Sequence, residues 1–116
     1  MPLPPLTREQ RAEALVRATE ARRVRAAIRA DLRRPGVDVA AEMAAVIARG
    51  SAADDDGQAI RKMRVAALLE AVPGIGKVRA AAIMERLEIS PSRRIRGLGA
   101  KQRAALTREF TDDSGG

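Results

Sequence analysis

A chain of 116 residues with one Phe, no Trp and no Tyr has room for a single modest core, which must be built from Leu, Ile, Val, Met and Ala. It has no Cys and no His, which excludes disulfides and thiolate metal sites and removes the commonest general base. The net charge of +7 is unevenly spread: residues 1–37 carry nine Arg against four acids, residues 38–60 one Arg against five acids, and residues 61–108 twelve bases against three acids. Two basic segments around an acidic one suit a nucleic-acid partner. Arg outnumbers Lys by 19 to 3, which carries little weight because genome composition alone can produce it.

The elements read as all-α. Alanine favours helix and close helix packing, and no alternating run is long enough for a strand. Residues 1–6 form a Pro-rich lead, expected to be extended and flexible. Met1–Thr7 has neither the charged nor the apolar region of a signal peptide, and no apolar run approaches a membrane span, so a cytoplasmic protein is expected.

Thr7, followed by Glu9 and Gln10, predicts the start of a long basic helix over residues 7–35, stopped by Pro35-Gly36. Ala14, Ala18, Ala21, Arg25, Ile28 and Leu32, with Leu15 and Val24 beside them, mark its narrow packing stripe. Arg17, Arg22, Arg23, Arg25 and Arg29 crowd the rest, leaving the helix either a surface that lies against a nucleic-acid backbone or a solvated arm.

Asp38 predicts the cap of a second helix at about 39–49, with Met43, Val46 and Ile47 inward and Gly50 at its end. The run Ser51–Gly57 reads as a turn or a helix-entry segment. Its three aspartates are explained by capping and by the helix dipole, and no metal ligand spacing accompanies them.

The most informative stretch is the hairpin at 65–87, inside a helical domain expected to span 36–110. Val65, Leu68, Leu69 and Val72 follow the pattern of a buried helix face, and Ala80, Ile83, Met84 and Leu87 repeat it. Between them Pro73 stops the first helix, while Gly74 and Gly76 free the backbone and leave Pro73-Gly-Ile-Gly-Lys77 bare. Lys77 and Arg79 oppose the dipole of the helix they open, a conflict that an anion docked on its N–H groups resolves. A plain packing corner leaves these cations unexplained. A nucleotide P-loop is rejected, because it needs Gly at 71 and Ser or Thr at 78 where this chain has Ala71 and Val78.

Gly97-Leu-Gly99 echoes the first turn and precedes a helix at about 100–110 with Ala105, Leu106 and Phe110 inward. Residues 111–116 are expected to form a flexible tail. Arg93, Arg94 and Arg96 lead into this second turn and Lys101 follows it. The two glycine turns are expected to make paired phosphate contacts, with the arginines between or beside them at the backbone or minor groove.

Leu3–Thr7, Lys62–Glu70, Val72–Lys77, Ile83–Leu87 and Arg93–Gly99 together resemble the actinobacterial integration host factor family. The resemblance implies a nucleoid-associated protein with a long N-terminal helix and a helix-two-turns-helix domain. It further implies binding to duplex DNA with little sequence preference, in DNA compaction and as an accessory to recombination. The family's DNA-contacting turn falls on Pro73, Gly74, Ile75, Gly76 and Lys77, and its arginine cluster on Arg93, Arg94 and Arg96. Residues 37–60 look longer and more acidic than the family pattern.

The rival is a structured-RNA or ribosome-associated protein. Single strands are disfavoured, because stacking needs aromatic side chains and only Phe110 is present. An enzyme is disfavoured for want of a constellation built on His, Cys or Tyr. No cofactor, metal, membrane or small-molecule substrate is expected, and the chain is expected to be monomeric in solution and to reside in the nucleoid.

Overall fold

The computed structural model describes residues 4–113, with side chains through residue 111. It contains α1 (Arg8–Leu32), α2 (Val39–Arg49), α3 (Asp55–Lys62), α4 (Val65–Glu70), α5 (Lys77–Arg86), a 3-10 turn at Ile95–Gly97, and α6 (Ala100–Asp113). Among the described residues no strand forms, only an isolated bridge between Arg64 and Arg94.

A capping box starts α1. The Gln10 N–H donates to Thr7 Oγ1 at 3.1 Å, and the Thr7 N–H donates back to Gln10 Oε1 at 2.9 Å. Only the C-terminal half of this helix packs: Val24, Ile28 and Leu32 are buried, with Ala21 beside them. Ala14 and Ala18 are exposed, as are Leu15 (66 %) and Val16 (63 %), so the expected stripe stops being a packing face before Ala21. The helix, roughly 37 Å long at 1.5 Å per residue, projects beyond the bundle and gives the molecule extents of 54 × 32 × 25 Å. Among the described residues nothing covers its first three turns, which are exposed throughout.

Asp38 caps α2, accepting from the Ala41 N–H at 3.2 Å. Of the two readings of the aspartate run, helix entry holds: it opens α3. Asp54 accepts from the Gly57 N–H at 2.8 Å, with Asp55 and Asp56 in the first turn. Gly57 is required by packing, since a Cβ there would lie 2.2 Å from the Ala52 carbonyl oxygen. The last helix runs to Asp113, past the expected end at 110, and residues 114–116 of the expected tail lie outside the described residues.

The core joins α1 to α3, α2 to α6 and α4 to α5 through Met43, Val46, Ile60, Leu68, Leu69, Ile83, Met84 and Leu106. Among the described residues no polar or charged side chain is buried. The charge of the described residues therefore lies at the surface, where a partner can reach it.

Candidate nucleic-acid interface

The hairpin is two short helices around a tight turn. The Ile75 N–H donates to the Val72 carbonyl at 3.1 Å, and Gly74 adopts φ +86° after Pro73, the signature of a type II turn. Gly74 is the position that needs glycine. Gly76 does not need it conformationally, because its φ of −94° and ψ of −170° are extended backbone open to any residue. A Cβ on either glycine would meet nothing within 4 Å. The expectation that both glycines supply forbidden angles is thus corrected: what Gly76 supplies is a bare surface beside the start of α5.

That start carries no side-chain cap. The N–H groups of Lys77, Val78 and Arg79 find no acceptor among the described residues, while the chain next bonds through the Ala80 N–H to the Gly76 carbonyl. Pro73, Gly74, Gly76, Lys77 and Arg79 are exposed and Ile75 is half-buried. The turn thus presents free donors, positive dipole and two cations to one approaching anion.

Arg93, Arg94 and Arg96 are also exposed and form no ion pair with a carboxylate among the described residues. They are held by backbone. The Val65 N–H donates to the Arg93 carbonyl at 3.0 Å and the Ile95 N–H to the Met63 carbonyl at 2.9 Å, pinning the segment against the start of α4. Ile95 and Leu98 anchor it in the core. Arg94 donates to the Lys62 carbonyl, and Arg93 folds over Gly97 to its carbonyl at 3.3 Å. The Arg96 guanidinium has no hydrogen-bond partner among the described residues and lines a hollow of about 210 Å³ with Arg61 and Arg103.

The two glycine turns are not neighbours. Near the start of α6 the Gln102 side chain donates to the Glu88 carbonyl, just past the end of α5, whereas Phe110 near its far end lies with Ile75 and Arg79. α6 therefore begins beside the end of α5, which sets the second turn about one α5 length, roughly 15 Å, from the first. Gly97 lies in the 3-10 turn and the Gly99 N–H is taken by Gln102 Oε1 at 3.0 Å, so the second turn offers fewer free donors than the first. Lys101 is exposed in the first turn of α6.

Sequence reasoning passed over several arginines that the fold gathers here. Arg64 lies directly opposite Arg94. Arg33 and Arg34, at the end of α1, line a cleft of about 620 Å³ together with Pro73, Ile75 and Arg79. Arg33 donates to the Ala71 carbonyl at 3.2 Å, tying the end of α1 to the end of α4. These are long-range juxtapositions that no local spacing announces.

Between α5 and α6, Arg86 grips Glu109 with two hydrogen bonds of 2.7 and 2.6 Å. This pairing holds the Glu109 carboxyl below its ordinary value, chiefly through the hydrogen bonds from Arg86.

Fold and site together define a helix-two-turns-helix protein, and a family profile described as "S13-like H2TH domain" matches residues 38–110. The chain is 54 % identical over 110 residues to the Integration host factor of Streptomyces coelicolor, covering 95 % of each, and 47 % identical to that of Mycobacterium tuberculosis, covering 95 % of this chain and 97 % of the relative. It belongs to the actinobacterial integration host factor family. A solved structure of sIHF bound to an 8-base-pair palindromic DNA is 50 % identical and superposes with a TM-score of 0.67, covering 80 % of this chain and 96 % of that one. The H2TH match takes in the acidic segment from residue 38 onward, which makes that segment part of the domain.

Proposed function

We propose that this protein binds double-stranded DNA with little sequence preference and acts as an architectural component of the nucleoid, compacting DNA and assisting site-specific recombination. The observation that carries this reading is the likeness, at 50 % identity, to a protein solved on duplex DNA. The structured-RNA alternative finds no comparable support.

The Pro73–Lys77 turn takes one phosphate run on the N–H groups that open α5, assisted by Lys77 and Arg79. About one α5 length away, Arg93, Arg94 and Arg96, with Gly97, Gly99 and Lys101, take another backbone run or enter the minor groove. The separation of the two sites suits contacts on two backbone runs better than two neighbouring phosphates. The action proposed is binding rather than catalysis, in keeping with relatives named Integration host factor and a likeness to a protein solved on DNA. Its place is the cytoplasmic nucleoid; among the described residues no helix is long and apolar enough to cross a membrane.

The test is fluorescence anisotropy with a mixed-sequence duplex of about 25 base pairs at about 50–300 mM salt, with structured RNA as competitor. Neutralising roughly four to seven phosphates gives a slope of log affinity against log salt of about −4 to −6. A flat salt response, or displacement of the DNA by equimolar RNA, overturns the reading.

A further inference from the structure

We infer that the groove between α4 and α5 is a docking surface for a protein partner's cationic amphipathic helix. This goes beyond DNA binding and does not depend on it. The groove has a volume of about 590 Å³, with Ala66, Ala81, Met84, Ile89 and Pro91 as its apolar lining. Met84 and Ile89 are core residues whose edges form the floor, so the groove is fixed by packing rather than by mobile side chains. Its size admits a few aliphatic side chains, the anchors that a helix presents at i, i+3, i+4 and i+7.

The rim identifies the partner's charge. Residues 61–108 contain twelve bases and only three acids, Glu70, Glu85 and Glu88. All three acids line this one groove against a single base, Lys77, at the end beside the glycine turn, so its rim is acidic on balance. None of them forms an ion pair among the described residues. DNA is repelled from such a rim, while a helix carrying Lys or Arg beside aliphatic side chains matches both floor and rim. Overall the protein is positively charged, and at about 0.15 M salt fields decay over roughly 8 Å. Recognition of a cationic helix therefore depends on this local acidic rim and not on the net field.

Glu88 offers a clean way to remove one rim charge. It adopts φ +59° just beyond α5, where the Ile89 N–H donates to the Met84 carbonyl at 2.8 Å. This is the left-handed closing position that glycine occupies most easily. Glu88→Gly therefore deletes the carboxylate while easing the backbone.

The experiment titrates the isotope-labelled full chain with a synthetic helical peptide of Leu and Lys, and with matched peptides carrying Glu or Gln in place of Lys. Binding of the Lys peptide is expected to move the amides of Ala66, Ala81, Glu85 and Ile89. It should weaken by about five-fold in Glu88→Gly and in Glu70→Gln/Glu85→Gln, with melting temperature held or raised in Glu88→Gly. Shifts centred on Asp54–Asp56, equal binding of the Gln or Glu peptide, or unchanged affinity in both variants overturns the proposal. So does concentration-dependent self-association of the chain alone that Glu70→Gln/Glu85→Gln abolishes, since a second copy would then be the occupant.

Discussion

Arg64 and Arg94 face each other across a bridge held by two backbone hydrogen bonds, with no carboxylate paired to either among the described residues. Like charges directly opposed cost roughly 0.2–1 kcal/mol, and an anion placed between them removes the cost. Arg64→Ala is thus expected to weaken duplex binding by about 3–10-fold and to lower the salt slope by about 1. Its melting temperature should hold or rise. Anisotropy across the salt series checks this, and unchanged affinity places Arg64 outside the interface. Arg94→Ala/Arg96→Ala should lose more affinity with helicity intact, because two guanidiniums leave the same surface.

Three glycines separate fold from function. Gly57→Ala drives a methyl into the Ala52 carbonyl and is expected to cost about 2–3 kcal/mol or more. Gly74→Ala places a side chain at φ +86° and is expected to cost about 1 kcal/mol. Gly76→Val meets no neighbouring atom, so its main effect should be on phosphate approach, with only a small loss of stability. Thermal unfolding beside duplex binding distinguishes the three. A Gly76→Val protein that binds like the unsubstituted chain would remove this turn from the DNA contact.

How much of this was legible in the sequence follows from the range of the forces involved. Thr7, Asp38 and the Val72–Ile75 turn act over three or four residues, and their local chemistry could be read directly. The all-helical class followed from periodicity for the same reason. Helix α3 was half hidden, because eight residues with one strongly apolar side chain, Ile60, leave a faint stripe. The fate of Ala14 and Leu15 was not readable, since their spacing continues that of Ile28 and Leu32 and only the size of the bundle decides where cover ends. Within the candidate site, the arginines near one another in sequence were visible. Arg64 and Arg33 were not, because backbone pairing and helix packing bring them in from distant positions.

The Arg86–Glu109 clasp predicts the direction of acid sensitivity. Glu109 is held below its ordinary value of 4.5 in the folded protein, so the proton binds the unfolded chain more readily. The stability this contributes is fully present above that value and is lost as pH falls through the lowered one. Arg86 stays charged throughout and adds no slope. Between about pH 5 and pH 3 the melting temperature should therefore fall more steeply for the unsubstituted protein than for Glu109→Gln. Parallel curves for the two proteins would show that the clasp contributes nothing to folding.

The long helix presents a second, separable charge pattern. At 100° per residue, Glu9, Glu13, Glu20 and Asp31 fall within about 40° of one another, while Arg11, Arg22 and Arg29 fall within about 20° on the opposite side. The arginines flanking the acidic side are the ones that pair: Arg17 reaches Glu13 at 3.7 Å, and Arg23 reaches Glu20 at 2.8 Å and Asp56 at 3.4 Å. Arg11, Arg22, Arg25 and Arg29 are exposed and have no such partner among the described residues. A solvated arm gains nothing from segregating its charges, whereas a helix laid along a phosphate backbone does. Arg22→Ala/Arg25→Ala/Arg29→Ala is expected to lower the salt slope by about 2–3 and to leave stability nearly unchanged, since alanine favours helix. Combined with Arg94→Ala/Arg96→Ala, the losses should add, because the two surfaces share no residue. A salt slope unaltered by the triple substitution would make α1 a solvated arm and confine DNA binding to the glycine turn and the arginine cluster.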